Sequence, residues 1–479
     1  MGLAEKLTRH KSIERLRAEA ESRRDFRRVL GLWQLTAIGL GGIIGVGIFV
    51  LAGQQAAMNA GPAVALSFII AGIGSAAAAL CYAEFAGMIP VTGSAYTYGY
   101  AVLGELAAWI IGWDLLLEYA LVVAVVAIGW SGYVQVLLAS VGIVLPAWAQ
   151  GALGTGEGHV FNVIAAGVTV IVAVLLTMRT EWGARLNTLI VAIKVIGVAL
   201  VIGIGVFFVD PANWHPFVPD AIVGADGKSH FGWAGVVTGA SVVFFAVFGY
   251  DTLTTAAEES VDPQRDLPRA VVLSLAISMV LYIAVTLVLT GMVPYTQLGG
   301  SAPVSDAFAR VGLHWVSIVA AAAAVIGVVS VLFAFTLGAA RIWFALARDG
   351  LLPAWFARVH PNYGTPYRPT LIIGIGTAFV AGLLPIGQVA ELVNIGTLAA
   401  FVIICASILV LRVRQPDLQR GFRTPAVWVV APLGIVFSLW LISALPWVTW
   451  ERFVIWMALG FAIYFGYGLR HSKLEGAGE

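Results

Sequence analysis

Gly39-Leu40-Gly41-Gly42-Ile43-Ile44-Gly45-Val46-Gly47-Ile48-Phe49 sets five glycines within nine residues, inside an otherwise apolar stretch. Each glycine in a helix interior costs about 0.8–1 kcal/mol relative to alanine, so propensity alone does not make this run a stable helix. Two readings of it are open: a face of small residues for close helix packing, or a helix interrupted in mid-span. A second stretch decides between them. Phe244-Phe245-Ala246-Val247-Phe248-Gly249-Tyr250-Asp251 places a glycine and a carboxylate near the middle of another apolar segment.

Working outward from these two stretches, a span needs about 20 mostly apolar residues. Twelve segments qualify: 34–57, 62–86, 105–139, 160–178, 184–208, 232–256, 269–291, 313–343, 369–386, 389–411, 426–445 and 452–469. All are expected to be helical, because in hydrocarbon every backbone polar group must be satisfied within the segment. Segments 105–139 and 313–343 exceed the bilayer and should tilt strongly or protrude. The interrupted stretches fall in segments one and six. That spacing is expected if helices one to five and six to ten form two inverted-topology repeats, with the substrate site at the paired breaks.

Composition agrees with a membrane location. Of 479 residues, 60% are hydrophobic and 11% charged, and the mean hydropathy is +0.93. A soluble domain carries about a quarter charged residues, so most of this surface faces something other than water. Disorder is excluded by the same balance, and a net charge of +1 excludes a nucleic-acid binder. Residues 1–29 are strongly charged and predict a polar, amphipathic cytoplasmic helix without a cleavable signal. With both termini in the cytoplasm, inside segments hold 23 of the 27 Lys and Arg residues. Only Lys228, Arg310 and Arg452 fall outside, and Lys194 lies within a span. This is the asymmetry the positive-inside rule requires. Short loops and no extra domain point to a bacterial inner membrane.

The physics of a broken helix suits a zwitterion. Unwinding frees N–H groups at a half-helix N-terminus, which attract a carboxylate. The carbonyls freed on the facing half can accept from an ammonium. Together they fit an α-amino acid.

Ionisable residues within spans are costly, and function is their default reading. Lys194 sits roughly 12–14 Å of helix rise from Arg185. It either snorkels to the interface or serves as a desolvated amine poised to gain and lose a proton. A fixed ammonium at that point also replaces a bound sodium ion, which favours a proton-coupled or uncoupled cycle. Asp114 and Glu118 share one face of helix three, and Glu118, lying deeper, is the better pathway candidate. Asp251 is expected to cap or brace the break in helix six, and Glu84 to be structural. Cys81 and Cys405 lie in apolar runs and are expected to pack as small apolar residues. No nucleotide-binding P-loop, hydrolase or metal-ligand motif occurs, so neither an enzyme, a cofactor nor a metal is expected.

Several motifs carry a resemblance. The glycine run, Cys81-Tyr82-Ala83-Glu84-Phe85 and Pro90-Val91-Thr92-Gly93-Ser94-Ala95-Tyr96-Thr97-Tyr98 resemble the amino acid–polyamine–organocation superfamily. The stretch from Phe244 to Asp251 with Glu258-Glu259, Asp262-Pro263-Gln264-Arg265-Asp266-Leu267-Pro268 and Arg348-Asp349-Gly350-Leu351-Leu352-Pro353 are similar to its cationic amino acid transporter branch and bacterial homologues. The resemblance implies an all-α, leucine-transporter-type fold working by alternating access. Residues 1–30 would form a cytoplasmic segment and 31–470 the transporter. Within it lie inverted repeats of about 31–208 and 232–411, extra helices of about 426–445 and 452–469, and then a tail at 471–479.

The resemblance also implies site residues. The unwound helix one would hold the substrate at Ile43, Gly45, Val46 and Gly47. Helix six would contribute Phe245, Ala246 and Phe248. Lys194 and Glu118 match positions linked to proton coupling. Phe335 and Thr336 are possible pocket walls. Two positions depart: Val46 stands where many relatives have Ser or Thr, and Phe248 where Val or Ile is common, which narrows the pocket. A small neutral amino acid is therefore as well supported as a cationic one. The expectation is a secondary transporter importing amino acids with protons. An exchanger is the alternative, and a non-transporting amino acid sensor is the rival from another class.

Overall fold

The computed structural model describes residues 9, 30–89, 94–178, 184–223, 229–363 and 365–473. Most of the expected N-terminal segment 1–30 lies outside the described residues, as do residues 90–93, Arg179, Lys228 and tail residues 474–479. The side chains of Arg185 and Glu258 lie outside them too.

Twelve apolar helices follow one another, each overlapping a segment read from the sequence. They are α1 (Leu32–Ile43), α2 (Val64–Met88), α3 (Glu105–Ser140), α4 (Val163–Met178), α5 (Ala184–Gly205) and α6 (Gly232–Val247). Then come α7 (Pro263–Met292), α8 (His314–Arg348), α9 (Tyr367–Leu383), α10 (Ile386–Arg414), α11 (Val427–Ser443) and α12 (Trp447–Ile463). Among the described residues, eight helical segments are long and apolar enough to cross a membrane, while α1, α4, α9 and α11 are apolar but shorter. Helix α3 runs for 36 residues and α8 for 35. At 1.5 Å per residue each rises over about 50 Å, well beyond the ~30 Å hydrocarbon layer. Between α5 and α6 a short antiparallel pair, β1 (Ile222–Val223) and β2 (Ser229–His230), closes the loop.

Helices pack in corresponding pairs. Helix α3 lies along α8, α2 along α7, and α4 along α9. Helix α1 packs on α7 while α6 packs on α2; α5 packs on α8 while α10 packs on α3. Helix α11 rests on α10 and α2, and α12 on α10 and α3. The α3–α12 seam is held by indoles. Trp113 stacks on Trp456 with centroids 4.4 Å apart, and their Nε1 groups donate to Trp456 O and Trp113 O at 2.9 and 3.2 Å. Gly460 makes room for them, since a Cβ there would lie 2.4 Å from the Trp113 ring.

The outer surface is apolar. Val429, Leu433 and Val436 on α11, and Ile455 and Leu459 on α12, are exposed. Five of the exposed tryptophans stand in the first turns of helices: Trp33, Trp233, Trp315, Trp428 and Trp447. Amphipathic indoles at helix ends suit the membrane–water interface. Glu84 is structural, as the sequence suggested. Its carboxylate is buried against Arg412 at 2.8 Å and Arg420 at 2.9 Å, and it accepts from the Thr424 backbone at 2.7 Å. It therefore ties α2 to α10 and to the loop that follows.

Candidate functional site

Both glycine-bearing stretches are broken helices in the fold. Helix α1 stops at Ile43; Ile44 turns extended at φ −74° and ψ 103°, and winding resumes as a wide π-type turn over Gly47–Leu51. Helix α6 stops at Val247, and Phe248 is extended at φ −104° and ψ −178°. Gly249 then takes φ +112°, a conformation that glycine adopts at little cost. A tight 3-10 helix over Tyr250–Glu259 follows.

The two breaks abut backbone to backbone. A Cβ on Gly42 would lie 2.6 Å from the Gly249 carbonyl oxygen, and one on Gly249 2.7 Å from that of Gly42. A Cβ on Gly47 would lie 2.3 Å from the Cβ of Ala246. The glycine run thus does more than the interruption expected from the sequence. It interrupts α1 and it lets α6 approach.

A helix end leaves four carbonyls without intrahelical donors. At α1 these are largely accounted for. Leu40 O accepts the Ile44 backbone N–H at 2.9 Å. Lys194 Nζ donates to Gly41 O at 2.8 Å and Ile44 O at 2.7 Å, with Ser330 Oγ of α8 at 3.4 Å. The Tyr282 hydroxyl of α7 donates to Ile43 O at 2.7 Å. Lys194 is wholly buried, so it does not snorkel; Gly327 makes room for its stem. Beyond the break, the Tyr133 hydroxyl donates to Phe49 O at 2.5 Å.

At α6 neutral donors meet the freed Val247 O and carbonyls on either side of it. Ser75 Oγ of α2 donates to Val247 O at 3.0 Å. Asn394 Nδ2 of α10 donates to Ser241 O at 2.7 Å and Val242 O at 3.1 Å. Thr252 Oγ1 donates to Gly249 O at 2.6 Å. Asp251 braces the break as expected, its carboxylate accepting from the Tyr119 hydroxyl of α3.

The remaining carboxylates gather on this second side. Glu118 is buried within reach of Thr397 and of the Asp251 charge. Asp114 is buried against α10, where a Cβ on Gly396 would lie 2.7 Å from its Oδ1. Both oxygens of Asp114, Oε2 of Glu118 and Oδ1 of Asp251 are buried without a hydrogen-bond partner among the described residues. Lys194 stands at the α1 break, while Glu118 lies beside Thr397 and Asp251 on the α6 side.

The site's walls are apolar. Phe245 and Phe248 meet edge to face at 5.7 Å, Phe248 meets Phe335 at 6.2 Å, and Phe335 meets Tyr119 at 5.0 Å. Gly45 faces room: a Cβ there meets only Val331 Cγ2, at 3.7 Å. Val46 packs against Gly129 of α3. Thr336 gives its hydroxyl to Leu332 O of its own helix at 2.6 Å, so that hydroxyl proton is committed. Ile43, Gly45, Val46, Gly47, Phe245, Ala246 and Phe248 thus cluster around the junction of the breaks. Tyr282, Ser75, Ser330, Tyr119 and Asn394 hold that junction and were not singled out from the sequence. Their common signal, an uncharged polar group in mid-span, is weaker than a charge but was present.

Residues 30–465 match the family model described as amino acid permease. The chain is 44% identical over 469 residues to a methylthioribose transporter of Bacillus subtilis (strain 168), covering 98% of this chain and 99% of the relative. It is 42% identical over 470 residues to the branched-chain amino acid permease BcaP of the same organism, covering 98% of each. To human cationic amino acid transporter 4 it is 29% identical over 592 residues, covering 98% of this chain and 91% of the relative. The broken helices, the apolar exterior and these matches converge: this is a multi-pass integral membrane protein of the amino acid permease family, within the amino acid–polyamine–organocation superfamily of transporters.

Proposed function

We propose that the chain imports small neutral amino acids together with protons, by alternating access, across a bacterial inner membrane with both termini in the cytoplasm. The observation that carries the reading is the Lys194 amine seated on the carbonyls of the broken α1. An ammonium has three donors and a full charge to offer those oxygens. Loss of its proton removes one donor and the charge, so the grip on the break depends on protonation. Substrate enters the same balance. The first N–H groups of the half-helix resuming after Ile44 have no intrahelical acceptors and attract the substrate carboxylate. That carboxylate in turn favours a charged Lys194, which links binding of substrate to binding of a proton.

Twelve spans arranged as two five-helix repeats, about 31–208 and 232–411, belong to this reading, with α11 and α12 added outside them. The packing supports it, because exchanging each helix for the one five places on maps α1–α7 onto α6–α2 and α5–α8 onto α10–α3. Five is odd, so the second repeat starts from the opposite side and is inverted.

Side-chain preference follows from the walls. Phe245, Phe248 and Phe335 offer apolar surface, and the carboxylates lie behind Tyr119 at the α6 break rather than across from a substrate side chain. A neutral aliphatic group suits this better than a guanidinium. The 42% match to a branched-chain amino acid permease supports the same side of the choice. Uptake of labelled alanine, leucine and arginine into proteoliposomes, without sodium and with an inward proton gradient, tests the reading. Accumulation of alanine or leucine above equilibrium is expected. Flux only into preloaded vesicles would make the protein an exchanger. Transport of methylthioribose with no amino acid flux would overturn the substrate.

A further inference from the structure

The polar contacts at the two breaks correspond as the helices do, on the two-repeat reading above. Tyr282 of α7 reaches an α1 carbonyl as Ser75 of α2 reaches an α6 carbonyl. Lys194 of α5 reaches two α1 carbonyls, and Asn394 of α10 reaches two α6 carbonyls. Helix α5 and helix α10 are counterparts under the same exchange. We infer that Asn394 is a positioning residue for the substrate site, the uncharged counterpart of Lys194, which fixes α6 where it carries Phe245 and Ala246.

The chemistry at Asn394 supports this. In an α-helix the carbonyl of residue i holds the N–H of residue i+4. Ser241 O and Val242 O, the oxygens Asn394 contacts, are therefore those that hold the N–H groups of Phe245 and Ala246. They lie in the last turn of α6, which ends at Val247, and Ala246 is the one on which Gly47 rests. A second donor on each carbonyl anchors that turn to α10 from outside. The amide orientation follows from its partners, since two carbonyls require the NH₂ end. Its Oδ1 is left buried and without a partner among the described residues. Such an unmade bond is a cost to the fold. An apolar side chain would fill this wholly buried position without that cost, so the position retains an amide for its donors. Unlike Lys194 it has no proton to exchange, and it should set affinity without setting coupling.

The test compares Asn394→Ala, Asn394→Asp and the wild-type chain in alanine uptake, with hydrogen–deuterium exchange on the purified proteins. Asn394→Ala should raise KM about fivefold or more, leave kcat within twofold and keep the pH profile of uptake unchanged. Exchange should quicken over residues 241–249 and not over residues 39–47. Asn394→Asp, of the same shape, faces the two carbonyls with an acceptor when ionised and a donor when protonated. Its KM should be raised at pH 8 and fall toward the wild-type value at pH 5.5. An unchanged KM in both variants, whatever happens to thermal stability, overturns the inference by making Asn394 structural only. A changed pH profile in Asn394→Ala also overturns it, by giving the residue a part in coupling. If Asn394→Ala does not fold, Asn394→Asp carries the same decision. Absence of both alanine and leucine uptake by the wild-type chain counts against the proposed substrate and coupling, and the exchange data still decide whether Asn394 anchors α6.

Discussion

The two broken helices solve one problem with different chemistry. Each must leave carbonyls without helical donors inside a membrane, where an unsatisfied polar group is expensive. At α1 the donors are an amine that carries charge and a phenol, Lys194 and Tyr282. At α6 a serine meets the freed Val247 O, while an asparagine and a threonine add second donors to Ser241 O, Val242 O and Gly249 O, and none of the three titrates. The α6 break has its charge elsewhere, in carboxylates set behind the Tyr119–Asp251 contact. On the function proposed above, the first break responds to protons and the second carries the pocket wall, which puts coupling at α1 and side-chain contacts at α6.

The comparison is broken most completely where the two helices touch. Gly47→Val places a branched side chain into Ala246, whose Cβ is already 2.3 Å from the position of a Cβ at residue 47. Transport should fall below detection in proteoliposomes while the variant still purifies as a monodisperse protein. Wild-type uptake would mean that the breaks do not bear on each other. A smaller effect is expected at the α1 cap. Tyr282→Phe removes one neutral hydrogen bond to Ile43 O, worth about 1 kcal/mol. Alanine KM should rise about fivefold, since RT is about 0.6 kcal/mol, and an unchanged KM would remove Tyr282 from the site. The smallest effect is expected at the α6 cap. Ser75→Ala loses a 3.0 Å contact to Val247 O, weaker by about half, and KM should rise about twofold with the pH profile intact. A larger loss in Ser75→Ala than in Tyr282→Phe would reverse the comparison.

The sequence was most legible where a residue type is expensive in its setting. Five glycines in nine residues, and a glycine beside a carboxylate in an apolar run, marked both breaks because they oppose helix propensity. Lys194, Glu118 and Asp251 were found because charge in hydrocarbon demands a reason. The partners were less legible. Tyr282, Tyr119 and Ser75 are ordinary residues in spans, and only three-dimensional proximity tells which carbonyl each meets. Asn394 was the exception that reasoning from ionisable groups alone passed over, since an amide carries the same hydrogen-bonding demand without a charge. Hydropathy alone reads 232–256 as one apolar span, because it does not register a change of backbone angle; the glycine beside a carboxylate is what marked the turn at residues 248–249.

On the proposed function, the proton moving with substrate is held at Lys194. A pH-sensitive dye sealed inside sodium-free proteoliposomes reads it directly when alanine is added outside. The wild-type chain should acidify the lumen, and Lys194→Ala should abolish that signal while labelled alanine still exchanges into alanine-loaded vesicles. Acidification by Lys194→Ala at the wild-type rate would place the coupled proton on another group and return Lys194 to a structural cap.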